Sequence, residues 1–382
     1  MDAAQFDLLI ARTRAFVRGI GMEMEAETER KAQLPQAIWD ALKELGTFGW
    51  SIPPAYGGSG LNSEQLARAF IELAQGAVAY RVVGGTNAGV GSEALIQDGT
   101  EEQKRHYLPR LASGDLLGCL ALTEPEAGSD ATALKTRGEV QGNGDYMLNG
   151  QKCFITLAPI AGLFTIFART NNAPRGGNGI TAFLVERGTP GLSASEPTPM
   201  MGQDGAPIGE VYLDNCRVSA SQILGGEPGM GFRSVMKALN KQRINLSALA
   251  TGPAIRMLDE ALAYARTRRQ FDSAIGEFQL VQAMLAECKV QVEAARALIL
   301  ETARKRDRGE DVTLDVSMCK YFSTEMCSQV ADKVIQIFGG TGYVKGRPIE
   351  RFYRDTRVFR IYEGTSQIHL LNIAKRMMQD EG

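Results

Sequence analysis

The sequence predicts an α+β multidomain protein in which a β domain lies between two helical domains. Apolar residues recur at helical spacing from Asp2 to about Leu111, and again in longer segments after Gly231. Between about Leu117 and Leu224 they form short alternating runs, which are typical of strands. These patterns predict three domains: an N-terminal α-helical domain at 1–116, a middle β-barrel or sandwich domain at 117–225, and a C-terminal four-helix bundle at 226–382.

The N-terminal helices are predicted from amphipathic stretches such as LPQAIWDALKELGTFG and SEQLARAFIELAQ, with IPPAYGGSGL between them as a loop. Gly89, Gly91 and Ala94 match the spacing of a dinucleotide-binding turn. Such a turn needs a strand before it and a βαβ unit around it, whereas the flanks here are helical. We therefore expect this match to be coincidental.

The strands of the middle domain are predicted at GDYMLNGQKCFI, LFTIFART, ITAFLVE and GEVYLDNCRV, which are separated by Gly, Asn, Asp and Pro. Three long helical segments follow, and FQLVQAMLAECKVQVEAARALILETARKR is one of them. Long consecutive helices of this kind resemble a four-helix bundle.

The composition is that of a globular protein. A net charge of -2 with 23% charged residues gives no sign of a nucleic-acid or anionic-membrane partner. The six cysteines form no CxxC pair and His106 and His369 are the only histidines, so we expect neither a metal site nor a disulfide framework. The opening stretch MDAAQFDLLIARTRAFVRGI lacks a continuous apolar run, and we expect a cytoplasmic protein without membrane insertion.

Glu363 is an isolated carboxylate in the apolar segment RIYEGTSQIHLL. Local pattern alone favours a solvated residue before a helix that Thr365 or Ser366 caps and that runs to about Met378. The segment LTEPEAGSD is similar, because Thr123 and Ser129 could donate hydrogen bonds from a turn, yet an ordinary loop has the same composition.

Six segments occur together in the order and spacing of the acyl-CoA dehydrogenase family of FAD-dependent flavoproteins, and the chain resembles that family along essentially its whole length. The segments are LTEPEAGSD, LNGQKCFIT, MGQDGAPIGEVYLDNCRV, RTRRQFDSAIGEFQ, QIFGGTGY and IYEGTSQI. The resemblance implies oxidation of an acyl-CoA thioester to its 2,3-enoyl-CoA, with hydride transfer to flavin N5. Glu363 matches the family's base, which removes the α proton. Its backbone N–H matches one donor to the thioester oxygen.

The resemblance also implies a set of FAD-binding residues. Phe154 would stack on the flavin where most relatives have Trp, and Asp272 replaces a usual glycine in the loop that reaches a neighbouring subunit. The residues matched to the flavin and its pyrophosphate are Leu122, Thr123, Gly128, Ser129, Phe154 and Thr156, and those matched to a neighbouring subunit are Arg268, Gln270, Phe271, Gln336 and Gly340. Thr365 and Gln367 match contacts to the flavin dinucleotide beyond the base. Contacts of this type imply an oligomer, which we expect to be a homotetramer, with electron-transfer flavoprotein as electron acceptor.

Substrate contacts are implied at Ser129, Asn240, Arg243, Gly364 and Arg81. The pair in LNKQR matches positions that hold the CoA arm, although an exposed helix face would look the same. Gln242 stands where branched- and long-chain relatives carry the base, and an amide cannot accept the proton.

Arg81 matches an arginine that binds the distal carboxylate in glutaryl-CoA dehydrogenases, and a surface or structural ion-pair role is the alternative. Desulfinase-like relatives carry a similar arginine and glutamine but lack the glutamate at the position of Glu363. A non-oxidising lyase with flavin as scaffold, and a non-enzymatic CoA-binding protein, are therefore the alternative functions.

Overall fold

The computed structural model describes residues 1–171 and 176–379. The N-terminal part is helical, as predicted. Asp2, Asn62 and Thr100 each accept a hydrogen bond from the N–H three residues later and cap the helices that follow them. The capped helices are α1, α4 and α7 among the seven helices of this part, which are α1 (Ala3–Phe16), α2 (Glu25–Lys31), α3 (Gln36–Glu44), α4 (Ser63–Leu73), α5 (Val78–Asn87), α6 (Glu93–Asp98) and α7 (Glu101–Ser113). Gly89, Gly91 and Ala94 fall between or within α5 and α6, so the dinucleotide-binding match is coincidental.

The middle part is a β domain, as predicted, and its strands lie in one sheet. The strands are β1 (Gly118–Ala121), β2 (Arg137–Val140), β3 (Tyr146–Thr156), β4 (Leu163–Arg169), β5 (Ile180–Glu186), β6 (Leu192–Ala194) and β7 (Ile208–Val218). Their order is β1-β4-β2-β3-β7-β6, with β5 paired to β4. β1 runs parallel to β4, and β3 pairs antiparallel with the long β7.

The C-terminal part is again helical and confirms the predicted bundle. Its elements are α8 (Gly231–Thr267), the short strands β8 (Arg269–Gln270) and β9 (Ser273–Ala274), α9 (Gln279–Asp307), α10 (Thr313–Phe338), α11 (Gly340–Tyr343), α12 (Pro348–Thr356) and α13 (Ser366–Met377). The three longest helices pack on one another, and α13 packs on α10. The domain boundaries at 116 and 225 stay a prediction.

One apolar core joins the N-terminal helices to the C-terminal bundle, and it positions the site described below. α4 packs against both α8 and α9. Phe70 of α4 is fully buried beside Trp50, with 5.6 Å between ring centroids. The sheet has a separate core around Phe164 and Val211. No helix in the described part of the chain is long and apolar enough to cross a membrane.

A buried ion pair also ties the two helical parts together. Glu25 of α2 and Arg351 of α12 approach to 2.7 Å between Oε2 and Nη2, and both side chains are almost fully buried. We expect Glu25→Ala to lower the free energy of unfolding by about 3–5 kcal/mol, because the buried guanidinium loses its main counter-charge. The measurement is urea unfolding followed by circular dichroism.

Glu27→Ala is the matched control, since Glu27 lies on the same helix and pairs with Lys31 in a more exposed position. Its unfolding curve should stay close to that of the unmodified protein, because an exposed ion pair contributes little to stability. Equal costs for the two variants would contradict a structural role for the buried pair.

Candidate active site

Glu363 lies in the short segment between the 3-10 turn Arg357–Arg360 and α13. Thr365 caps α13 by accepting a hydrogen bond from the Ile368 N–H at 3.2 Å, which confirms one of the two predicted caps. Glu363 has φ 54° and Gly364 has φ 95°. The left-handed conformation costs a non-glycine residue about 1–2 kcal/mol, so surrounding contacts must impose it on Glu363.

The carboxylate of Glu363 faces the protein interior. The residue is half-buried, but its Oε2 is sealed from solvent and has no hydrogen-bond partner among the described residues. Burial raises the pKa of this carboxyl, and the nearby cations Arg81, Arg243 and Lys320 oppose that rise. The solvated position favoured by local pattern is therefore wrong. A raised pKa brings a carboxylate closer to the range in which a general base works.

Arg81 of α5 is only 8% exposed, so a surface role is excluded. Its guanidinium lies 4.2 Å from the ring centroid of Phe70. Its Nε and Nη2 atoms are buried without hydrogen-bond partners among the described residues, and it forms no ion pair within them. Burial lowers the pKa of Arg81, while the nearby Tyr362 and Glu363 act in the opposite direction. The hypothesis that Arg81 forms a structural ion pair is therefore wrong as well.

Arg243 and Asn240 of α8 contact each other, with Arg243 Nη1 donating to Asn240 Oδ1 at 2.8 Å. Arg243 is 7% exposed, so these residues do not form an exposed helix face. Burial lowers the pKa of Arg243 and the negative charge of Glu363 opposes that change, which places both groups in one electrostatic environment.

Two glycines of the N-terminal part allow the side chains of this site to approach the backbone. A Cβ at Gly85 would lie 3.3 Å from Arg81 Cζ, and one at Gly89 would lie 2.1 Å from Gln242 Nε2. Gln242 Nε2 is itself buried without an acceptor in the described part of the chain. Gly89, which the sequence left without a role, thus makes room for Gln242.

Several buried donors around Glu363 lack an acceptor, and this points to a ligand. They are Arg81 Nε and Nη2, Gln242 Nε2 and Arg243 Nε, as far as the described residues extend. An unpaired buried donor costs about 1–3 kcal/mol. A cluster of such donors beside an unpaired carboxylate is therefore more simply explained by a polar ligand that the site is built to receive.

The predicted flavin residues of the middle domain lie side by side. The Cys153 N–H donates to Thr123 O at 3.0 Å, and Lys152 Nζ donates to Leu122 O at 3.3 Å, so the end of β1 is fastened to β3. Phe154, with φ 57°, directs an aromatic side chain that is 72% exposed toward the outside. Thr156 is half-buried, and Gly128 and Ser129 are exposed.

A buried ion pair stabilises the turn that follows β1. Lys152 and Glu124 approach to 2.8 Å and are almost completely hidden from solvent. Burial lowers the pKa of Lys152 to about 8, and the Glu124 charge opposes that change. The same carboxylate accepts from the Thr136 N–H at 2.9 Å, so it links three segments of the domain.

The residues matched to a neighbouring subunit lie elsewhere, on the surface at the far end of the bundle. Tyr264 and Phe338 stack with 4.2 Å between centroids, which brings the ends of α8 and α10 together. Phe271 is 93% exposed in the β8–β9 turn, and Asp272 has φ 63°, a conformation that glycine adopts more readily than other residues. Arg268, Gln270, Gln336 and Gly340 are exposed as well.

Two residues near Glu363 were not singled out by the sequence. Lys320 of α10 is fully buried, and its Nζ donates to Gly364 O at 2.6 Å. His369 of α13 is also fully buried, with Nε2 3.2 Å from Glu363 O. The sequence could have indicated that Lys320 is buried, because it lies one helical turn from Val316 within the apolar face of α10.

The raised pKa of Glu363 predicts a pH-dependent effect on stability. The unfolded carboxyl titrates near its ordinary value of 4.5, whereas the folded one holds its proton to higher pH. Stability is therefore lost as the pH rises from about 4.5 through the folded pKa. Glu363→Gln should melt at a higher temperature than the unmodified protein at pH 7, with a smaller gain at pH 4.

Glu287→Gln removes an exposed carboxylate of α9 and should change neither value appreciably. The measurement is thermal unfolding at both pH values. A lower melting temperature for Glu363→Gln at pH 7 would contradict a buried and unpaired carboxylate.

Comparisons with known proteins agree along the whole chain. Models of the acyl-CoA dehydrogenase N-terminal, middle and C-terminal domains match residues 4–115, 119–216 and 229–378. The chain is 38% identical over 376 residues to a protein named 3-(aryl)acrylate reductase from Clostridium sporogenes, covering 98% of this chain and 99% of that one.

Two solved structures are similar over the same extent. Butyryl-CoA dehydrogenase from Megasphaera elsdenii is 32% identical with a TM-score of 0.93, covering 99% of both chains. The glutaryl-CoA complex of a glutaryl-CoA dehydrogenase is 34% identical with a TM-score of 0.93, covering 99% of this chain and 97% of that one. The chain belongs to the acyl-CoA dehydrogenase family.

Proposed function

We propose that this protein is an FAD-dependent enzyme that oxidises an acyl-CoA thioester to its 2,3-enoyl-CoA, with Glu363 as the base for the α proton. One observation carries the proposal most directly. The Oε2 atom of Glu363 is buried and unpaired among the described residues, and its carboxyl feels the charges of Arg81, Arg243 and Lys320, at the position of the family's YEGT glutamate.

The same residue supplies two groups to the reaction. Its carboxylate accepts the α proton, and negative charge then develops on the thioester oxygen. The backbone N–H of Glu363 has no acceptor within the described chain, so it is free to donate to that oxygen. Arg81, Arg243 and Lys320 add positive charge near the developing anion.

FAD is the cofactor, and when bound it accepts the β-hydrogen as a hydride. The exposed ring of Phe154 fits a flavin ring, and the turn held by Lys152 and Cys153 fits a role in holding the rest of the flavin. Residues assigned to the same subunit's flavin are Leu122, Thr123, Gly128, Ser129, Phe154, Thr156, Thr365 and Gln367.

The exposed residues at the end of the bundle away from Lys320 could bind the FAD of a neighbouring subunit. Gln336 lies 16 residues beyond Lys320 on α10, about 24 Å along the helix. Phe271 is 93% exposed, so its ring is available to contact a neighbouring subunit. We therefore assign Arg268, Gln270, Phe271, Gln336 and Gly340 to a neighbouring subunit's cofactor in a homotetramer, with electron-transfer flavoprotein as the electron acceptor.

The assignment of Glu363 is tested by anaerobic addition of acyl-CoA thioesters while flavin absorbance is followed. Butyryl-, isobutyryl-, octanoyl- and glutaryl-CoA form the panel. Bleaching by at least one is expected, and Glu363→Gln should slow it by about 10²- to 10⁴-fold because the amide cannot accept the proton. Glu287→Gln should bleach at the unmodified rate. Equal rates for both variants would remove Glu363 from the base role.

Arg81 suits an acyl group that ends in an anion. Its two unpartnered nitrogens can form a bidentate contact with a carboxylate, and Gln242 Nε2 offers a further donor nearby. The glutaryl-CoA complex of the similar dehydrogenase fits such a substrate. Ser129, Asn240, Arg243 and Gly364 are assigned to the CoA thioester itself.

Removing the charge of Arg81 should change substrate preference. Arg81→Met is expected to lower the ratio of kcat/KM for glutaryl-CoA over butyryl-CoA by about 10- to 100-fold, the loss of a charge-assisted hydrogen bond. Arg68→Met is the matched control, since Arg68 also lies over a phenylalanine ring but is exposed on α4. An unchanged ratio in Arg81→Met would exclude the anion contact.

A second candidate function is the reverse reaction, which the similarity to a protein named 3-(aryl)acrylate reductase favours. In that direction a protonated Glu363 delivers the proton to the α carbon. Bleaching by saturated thioesters supports oxidation, whereas reoxidation of the reduced protein by an arylacryloyl thioester, without such bleaching, supports reduction. A lyase with flavin as scaffold would change flavin absorbance in neither test.

A further inference from the structure

Two buried side chains hold the backbone carbonyls that follow the α carbon of Glu363. Lys320 Nζ donates to Gly364 O at 2.6 Å, and His369 Nε2 lies 3.2 Å from Glu363 O. A Cβ on Gly364 would lie 2.9 Å from His369 Nε2, so the imidazole ring packs directly on this peptide. Lys320 and His369 together are called the carbonyl clamp below.

The two ends of the segment are fastened to α10 as well. Glu325 accepts hydrogen bonds from Arg360 Nε at 2.8 Å and from Ser366 Oγ at 2.5 Å. Arg360 ends the turn before Glu363, and Ser366 begins the helix after it. The segment 360–366 is therefore held by α10 before Glu363, at Gly364 and after it. Lys320 and Glu325, which make these contacts, both belong to α10.

We propose that Lys320 is a positioning residue that, together with His369, holds Glu363 in its left-handed conformation and thereby aims the carboxylate and the N–H of Glu363 at one substrate. This goes beyond the assignment of Glu363 as the base and rests on it. Neither member of the clamp touches the reacting atoms in this account.

The backbone explains why such a clamp is needed. The side chain and the backbone nitrogen of Glu363 are bonded to the same α carbon, so φ sets the direction of the N–H relative to the Cα–Cβ bond from which the carboxylate extends. A non-glycine residue released from its contacts relaxes toward negative φ. This relaxation would turn the N–H of Glu363 away from the thioester oxygen of the substrate whose α proton the carboxylate removes. Fixing the following carbonyls prevents that rotation.

Stability does not explain a lysine at this position. Lys320 is fully buried, and a methionine of similar length would fill the space without the cost of desolvating an ammonium group. Burial lowers the pKa of Lys320 to about 8. The charged groups that act on it are Glu363, Arg243, Glu325 and Arg360.

His369 serves as the neutral member of the clamp. Burial and the cations Arg243 and Lys320 lower its pKa to about 4, so the ring is uncharged at neutral pH. A neutral ring that donates from Nε2 to Glu363 O leaves Nδ1 unprotonated, which agrees with a buried Nδ1 that has no partner among the described residues.

The test compares Lys320→Met, Lys320→Arg and the control Lys289→Met. Methionine removes both the hydrogen bond and the charge, whereas arginine restores both. Lys289 lies exposed on α9 and pairs with Glu293 in an i,i+4 contact. Lys320→Met should lower kcat by about 10²-fold, the effect of a misplaced base, with KM nearly unchanged. Arginine should recover part of kcat, and the control should match the unmodified protein.

The pH profile separates positioning from mere folding. Lys320 lowers the pKa of Glu363 through its charge. The acidic limb of the kcat/KM profile should therefore move to higher pH in Lys320→Met and return toward its original position in Lys320→Arg. A stable variant with an unmoved profile and an unchanged kcat would overturn the proposal.

Hydrogen exchange gives a readout that needs no activity. Peptides that contain residues 361–366 should exchange faster in Lys320→Met and unchanged in Lys289→Met, while the rest of α10 stays protected. Exchange that is unaltered at 361–366, or raised throughout the bundle, would overturn the clamp. Faster exchange at 361–366 in Lys320→Met, together with no flavin bleaching of the unmodified protein by any thioester, would support the clamp and contradict the assignment of Glu363 as the base.

Discussion

The left-handed backbone at Glu363 constrains the rest of this site. The conformation directs one carboxylate inward and leaves the same residue's N–H without an intrachain acceptor in the described structure. It is unfavourable for a side chain larger than hydrogen, so it persists only because neighbouring groups hold it. Those groups come from α10 and α13, and α10 is itself fixed by packing against α8 and α9. The long helices of the bundle therefore determine the geometry of a segment only a few residues long.

Cations near the Glu363 carboxylate partly offset its charge, but none of them pairs with its Oε2 atom among the described residues. Burial favours the protonated form of Glu363, and full pairing with a cation would make it a weak base. The structure opposes the first effect without reaching the second, because Arg81, Arg243 and Lys320 lie near the carboxylate while its Oε2 stays unpaired among the described residues. The same arrangement leaves donors of Arg81 and Arg243 available to a ligand. Substrate binding and base strength are therefore coupled, since an anionic acyl group that pairs with Arg81 would reduce the cationic field at Glu363.

Sequence patterns predicted the helical, β and helical parts, the strand at GDYMLNGQKCFI and the cap at Thr365, because these depend on nearby residues. Local pattern failed at Glu363, where burial depends on α5 and α8, far away in sequence. The ambiguity at Arg81 had the same origin, since only packing against Phe70 shows that it is enclosed. The clamp could not be anticipated from spacing either, because Lys320 and Gly364 are 44 residues apart and meet only through tertiary packing.

The most direct test of the central claim is exchange of the α hydrogen of a bound acyl-CoA thioester. The protein is incubated with the thioester that bleaches its flavin in deuterium oxide, and deuterium at the α carbon is measured by mass spectrometry. If Glu363 is the base, the unmodified protein will incorporate deuterium there, whereas Glu363→Gln will not, while still binding the thioester. Incorporation at an unchanged rate in Glu363→Gln would contradict the account, because another group would then be removing the proton.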